Sequence, residues 1–141
     1  MVVIGPGPGD PSNDRDDKIV KLWTVVARLI AGETPFLAVC LGHQVLSSVL
    51  GFELLRRSQP NQGAQREIDL FGSAGRVGFY NSFVAKADSD RVELSLLSAT
   101  VEISRDSETG EVHALRGPGF ASVQFHPESV LTQTASGFST T

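Results

Sequence analysis

At 141 residues the chain has room for one domain with a proper core, and its 40% hydrophobic and 20% charged residues exclude the polarity that keeps a chain unfolded. A net charge of −4, with no Lys/Arg cluster beyond Arg56-Arg57, argues against electrostatic capture of nucleic acid or an anionic membrane. One cysteine excludes an internal disulfide, and neither a bilayer-spanning apolar run nor a basic-then-apolar leader is present, so a cytoplasmic setting and a small-molecule or protein partner are expected.

Residues 2–4 read as the end of a buried strand. Because "MVVIGPGPGDP" starts partway through an apolar strand, the fold is expected to be incomplete at the amino terminus. The alternating Gly and Pro of "GPGPGDPSND" forbid regular structure. Ser12, Asn13 and Asp14 are candidate caps for a helix over about Asp16 to Ala31, where Ile19, Leu22, Trp23, Val26, Leu29 and Ile30 recur at helical spacing and Gly32 stops the run. "TPFLAVC" suits a central parallel strand buried on both faces, and a second helix is expected from about His43 to Leu50, closed by Gly51.

A further strand at "FELLRR" completes an α/β pattern with crossover helices. The second half turns to short strand-like runs: "REIDLF", "RVGFY", "VELSLL", "TVEISRD", "EVHALR" and "ASVQF", with "SETG" as a hairpin turn. The expected fold class is therefore α/β, an open mixed, mostly parallel sheet flanked by helices with antiparallel additions. Residues 1–131 are expected to form the domain, cut short at both ends, and 132–141 a frayed polar tail.

Cys40 stands at a strand-to-helix junction within Ala38-Val39-Cys40-Leu41-Gly42. Small neighbours there permit the sharp turn of a nucleophile elbow, and the helix amino terminus favours a thiolate and can hold an oxyanion. The bland reading, a buried thiol acting as a small hydrophobe, stays open. His126, at the end of "ASVQF", has Glu128 two positions on, a Cys-His-Glu set by composition. His113, in an alternating strand, reads as a solvent-facing filler, and His43 equally as a helix-surface residue. Cys40, His43 and His126 make a weak metal-ligand set, and "GPGPG" lacks the lysine and spacing of a phosphate loop, though one of its glycines can bring an N–H to a reacting carbonyl.

Taken in order, "GPGPGDP", "CLGHQ" and "FHPES" resemble the class I glutamine amidotransferases, the triad-type glutaminase domains, from Ile4 to about Leu131. The resemblance implies Cys40 as nucleophile, His126 as general base and acid and Glu128 as the carboxylate orienting it. It also implies Gly7 and the Leu41 backbone as the oxyanion hole and Gln44 as a substrate-binding residue. Relatives in chorismate metabolism carry Tyr-His-Ser-Leu where this chain has Tyr80-Asn81-Ser82-Phe83, so Ser82 and Phe83 inherit contacts to the glutamine backbone. The wording of "PNQGAQREIDLFG" and "VHALRGPGFASVQFHPESVLT" is similar to the glutaminase region of phenazine biosynthesis enzymes of the PhzE type, which make 2-amino-2-deoxyisochorismate from chorismate.

The resemblance further implies glutamine as substrate and a chorismate-binding synthase domain or subunit as partner. It implies no cofactor or metal in this domain, Mg²⁺ being expected in the synthase. The alternatives are the glutaminase component of anthranilate synthase or of aminodeoxychorismate synthase and, from a different class, a non-catalytic truncated module that docks on a synthase.

Overall fold

A computed structural model describes residues 2–5, 7, 9–60, 64–94 and 99–125 of the chain. In chain order the elements are β1 (Val2–Ile4), α1 (Asp17–Ala31), β2 (Phe36–Val39), α2 (Leu41–Val49), β3 (Glu53–Arg56), β4 (Ala64–Leu70) and β5 (Ser73–Phe79). They continue with β6 (Phe83–Lys86), β7 (Arg91–Leu94), β8 (Ala99–Arg105), β9 (Val112–Gly117) and β10 (Phe120–Val123). Six of the described strands form one sheet in the order β1-β2-β10-β9-β8-β7. The fold is the expected α/β arrangement with a mixed sheet, but the balance within it differs. Only β1/β2 and β2/β10 pair in parallel, whereas β10/β9, β9/β8 and β8/β7 are antiparallel.

Helix α1 begins one residue later than the spacing suggested. Its cap is Asp16, whose carboxylate accepts the Lys18 N–H at 2.9 Å. Of the three expected caps, Ser12 instead donates to Asp10 and Asn13 accepts from the Arg15 N–H, so both serve turns in the preceding loop. Ile19 and Val26 are buried, but Trp23, placed on the apolar face by spacing, is 41% exposed. α2 starts at Leu41, two residues earlier than expected, and nearly all its side chains are buried.

The two faces of the sheet are covered differently, and strand parity shows how. Phe36, Ala38 and Phe120 join Ile19, Val26, Val45 and Leu46 in the core beneath α1 and α2. Val39, Val123 and Phe125 point the other way and join Ile68, Leu70, Val77 and Phe79 of the β4–β5 hairpin. That hairpin turns through Phe71 and Gly72, both at positive φ as a two-residue primed turn requires. It is fastened by the Ser104 hydroxyl donating to the Asp69 carbonyl at 2.6 Å and by the edge-on packing of Phe79 against Phe125.

Two further strands depart from the expectation. β3, read from "FELLRR" as part of the main sheet, pairs antiparallel with β6 in a separate two-stranded ribbon, and β6 itself lies in a stretch read only for its binding residues. The "SETG" turn is as expected. The Asp106 carboxylate accepts the N–H groups of Glu108 and Thr109, and Gly110 takes a positive φ.

Candidate active site

The site lies at the carboxyl ends of the parallel strands β2 and β10, the usual place for one in an open α/β sheet. Cys40 is the residue between β2 and α2, with φ 54° and ψ −103°. L residues rarely adopt this conformation, and it persists only where the surroundings impose it. Two backbone bonds do so: the Cys40 N–H donates to the Val123 carbonyl at 2.8 Å, and the Cys40 carbonyl accepts the Gln44 N–H at 3.0 Å. The residue is 9% exposed, at the boundary of the core, with its chain direction reversed as in a nucleophile elbow.

Gly42 is required by the same turn. A Cβ there would stand 2.5 Å from the Ile4 carbonyl oxygen and 2.8 Å from the Ile4 Cγ2. Its absence lets the first turn of α2 approach the end of β1, and Gly7, just beyond β1, lies beside the side chain of Leu41. The first turn of a helix has N–H groups with no intrahelical acceptor, and Leu41 opens that turn. Gly7 and Leu41, paired in the sequence reading, are thus neighbours.

Gln44 is 3% exposed and donates both amide hydrogens inward, to the Phe83 carbonyl at 2.9 Å and to Oε1 of Gln124 at 3.0 Å. The Phe83 carbonyl also accepts from the Asn81 side chain at 2.8 Å, and the Ser82 carbonyl accepts the Arg57 N–H at 2.8 Å. Gln44 and Phe83 are therefore in direct contact, while Ser82 is tied through its carbonyl to the chain after β3. Gln124, which the sequence reading did not single out, completes the group: its Nε2 lies 3.7 Å from the Cys40 sulfur. His126 and Glu128 lie outside the described residues.

The other two histidines are not where the sequence suggested. His43 is fully buried, not on the helix surface, and its Nδ1 meets the Ser122 hydroxyl at 2.7 Å. Its Nε2 has no hydrogen-bond partner among the described residues. Burial, aided by the charge of His113, pushes its pKa down to about 3, so the ring is neutral. His113 is only 6% exposed because the β4–β5 hairpin covers it, its ring centroid 5.3 Å from that of Phe79. Burial lowers its pKa against the opposing pull of Asp106 and Glu111. Among the described residues no three or more His, Cys, Asp or Glu side chains group as metal ligands.

The model of the family described as glutamine amidotransferase class-I matches residues 1–139. The chain is 60% identical over 133 residues to the phenazine-specific anthranilate synthase of Pseudomonas chlororaphis, a match covering 94% of this chain and 21% of that protein. It is 33% identical over 135 residues to aminodeoxychorismate synthase component 2 of Klebsiella aerogenes, covering 94% and 69%. The chain thus spans about a fifth of the phenazine-specific relatives, which include a second from Pseudomonas fluorescens at 61% identity.

Among solved structures, a glutamine amidotransferase from Thermotoga maritima superposes with a TM-score of 0.66 at 18% identity, covering 89% of this chain and 56% of that one. Another from Methylobacillus flagellatus gives 0.62 at 14%, covering 95% and 53%. These likenesses bear on the fold. With the family model matched along almost the whole chain, this protein belongs to the class I glutamine amidotransferases.

Proposed function

We propose that the chain is the glutaminase part of a chorismate-utilising amidotransferase, with Cys40 as nucleophile and His126 and Glu128 as its base and orienting carboxylate. The observation that carries this reading is the backbone of Cys40, held at φ 54° between a parallel strand and the helix it caps. A buried structural thiol needs no such strain; a sharp strand-to-helix turn that pushes a nucleophile out of the sheet does. His43, sealed in the core and engaged with Ser122, and His113, buried against Phe79 of the β4–β5 hairpin, are both unsuitable bases, which supports the reading of His126 in that role. His126 follows Gln124 by two positions in the chain.

In this mechanism the thiolate adds to the side-chain amide carbon of glutamine, forming the C–S bond and an oxyanion. N–H groups of Gly7 and Leu41 hold that oxyanion, each worth about 3 to 4 kcal/mol in comparable sites. His126 protonates the nitrogen, the C–N bond breaks and ammonia leaves. Water, deprotonated by the same histidine, then adds to the γ-glutamyl thioester, and the C–S bond breaks to give glutamate and restore the thiolate beside the protonated histidine. Gln44, with both donors turned inward, offers substrate only its carbonyl oxygen, an acceptor suited to the ammonium group of glutamine.

Two relatives are named for phenazine-specific anthranilate synthase, and on that likeness the ammonia passes to a synthase that aminates chorismate to 2-amino-2-deoxyisochorismate. The Mg²⁺ of that step belongs to the synthase, with no cofactor assigned to this domain. An acidic chain with one cysteine suits the reducing cytoplasm, and no described helix is long and apolar enough to cross a membrane.

The test is labelling with 6-diazo-5-oxo-norleucine followed by mass spectrometry. A single adduct on Cys40 that glutamine suppresses is the expected result. A folded chain that takes no label, alone and with a synthase present, would overturn the reading in favour of a non-catalytic docking module.

A further inference from the structure

Gln124 is 1% exposed, and its amide is shared between two groups of the site. Its Oε1 accepts from Gln44 Nε2 at 3.0 Å, and its own Nε2 points at the Cys40 sulfur at 3.7 Å. The backbone leaves it little freedom, because the Gln124 N–H donates to the His113 carbonyl at 2.8 Å. Parity along the chain from β10 turns Gln124 to the same side as Ser122, whose hydroxyl meets His43 of α2, while Val123 and Phe125 enter the opposite core. A polar chain therefore runs inside the protein from the Phe83 carbonyl through Gln44 and Gln124 to the sulfur.

We infer that Gln124 is a positioning residue for the glutaminase reaction, donating an N–H to the Cys40 sulfur and linking that sulfur to Gln44. The inference rests on the reading of Cys40 as nucleophile and deepens it. An amide N–H is a weak partner for a thiol and a much better one for a thiolate, since the bond becomes charge-assisted. It therefore favours the ionised sulfur and holds it in one rotamer. The other end of the same amide fixes Gln44, so the groups that bind glutamine and attack it share one rigid unit. Because the Phe83 carbonyl can only accept, Gln44 turns its nitrogen inward and its second N–H faces Gln124, so Gln124 must present its oxygen to Gln44 and its nitrogen to sulfur.

The experiment measures the rate of Cys40 alkylation by iodoacetamide against pH, without glutamine, in the wild-type chain, Gln124→Met and Gln124→Glu. Circular dichroism checks that each variant is folded. Loss of a hydrogen bond to a charged group predicts that the half-maximal rate moves up by about one pH unit in Gln124→Met. It moves further in Gln124→Glu, which keeps the acceptor for Gln44 but faces sulfur with a carboxylate. Glutamine turnover should fall about tenfold in kcat, with KM changed less than about threefold, in Gln124→Met.

Folded variants with the wild-type alkylation profile would overturn the inference. Should both variants fail to fold, the wild-type chain decides: the Gln124 side-chain amide resonances must shift as Cys40 ionises, and resonances that stay still sink the proposal. The outcome is separable from that of the proposed function. Glutamine-protected labelling of Cys40 with unmoved alkylation profiles rejects the role of Gln124 alone, whereas shifted profiles without such labelling reject the glutaminase reading alone.

Discussion

The carbonyl oxygen of Ile4 stands 2.5 Å from the point where a Cβ on residue 42 would lie, so the end of β1 and the start of α2 touch through a glycine. Neither partner can give way cheaply, since one is strand backbone and the other the first turn of a buried helix. Gly42→Ala should cost about 2 to 3 kcal/mol, the usual penalty of overpacking, read as a lower urea midpoint. Gly5→Ala, where a Cβ meets nothing within 4 Å, is the control and should be neutral or slightly stabilising. Equal midpoints for the two variants would refute the close approach.

At Cys40 the strain itself is measurable. A Cβ at φ 54°, ψ −103° costs about 1 to 3 kcal/mol, and glycine escapes it. Glycine loses roughly 0.5 to 1 kcal/mol to backbone entropy. Cys40→Gly should therefore be more stable than Cys40→Ala by about 1 kcal/mol, reversing the order normal at a helix, and both should lack glutaminase activity. Denaturant curves that rank alanine above glycine would remove the argument that this turn is held against its preference.

Acid should destabilise the fold through His43. Its pKa falls from an ordinary 6.5 to about 3 on burial, so between those values the unfolded chain binds a proton that the folded chain does not. The stabilising contribution is complete above about pH 6.5 and is lost as pH drops toward 3. Lowering pH from 6.5 to about 5 should cost on the order of 2 kcal/mol, and His113, depressed in the same direction, adds to it. His43→Gln should flatten the dependence of the urea midpoint on pH over this window, at some loss of stability at neutral pH. An unchanged slope would assign the acid sensitivity elsewhere.

The elements legible in the sequence were those whose pattern is local. Glycine and proline marked the loop before α1, helical spacing marked α1, and the apolar run before Cys40 marked β2. Coverage from a distance was not legible. Ser122 and Gln124 alternate with Val123 and Phe125 as a solvent face alternates with a core face, yet α2 lies over them and their polar atoms are satisfied by His43, Gln44 and Cys40. His113 looked exposed by the same logic, and the β4–β5 hairpin, remote in sequence, buries it. β3 was assigned to the main sheet because four residues carry no mark of which neighbour they will pair with, and its partner β6 was equally short. Periodicity reports which residues share a face, not whether that face is wet.

Gln44 separates a donor's role from that of mere volume. Both of its hydrogens go to oxygen acceptors, the half-buried carbonyl of Phe83 and the buried Oε1 of Gln124. Gln44→Glu places a carboxylate, which has no hydrogens to give at neutral pH, against two acceptors, and should cost about 3 kcal/mol or more. Gln44→Met removes the same two bonds but introduces no charge, and the loss should be about 1 to 2 kcal/mol. The gap between the variants should narrow as pH falls through the range in which the introduced carboxylate takes up a proton and regains one donor. A Gln44→Glu variant as stable as Gln44→Met at neutral pH would mean that Gln44 does not donate to Phe83 and Gln124 in the folded protein, and the hydrogen-bonded path from Phe83 to the Cys40 sulfur would be refuted.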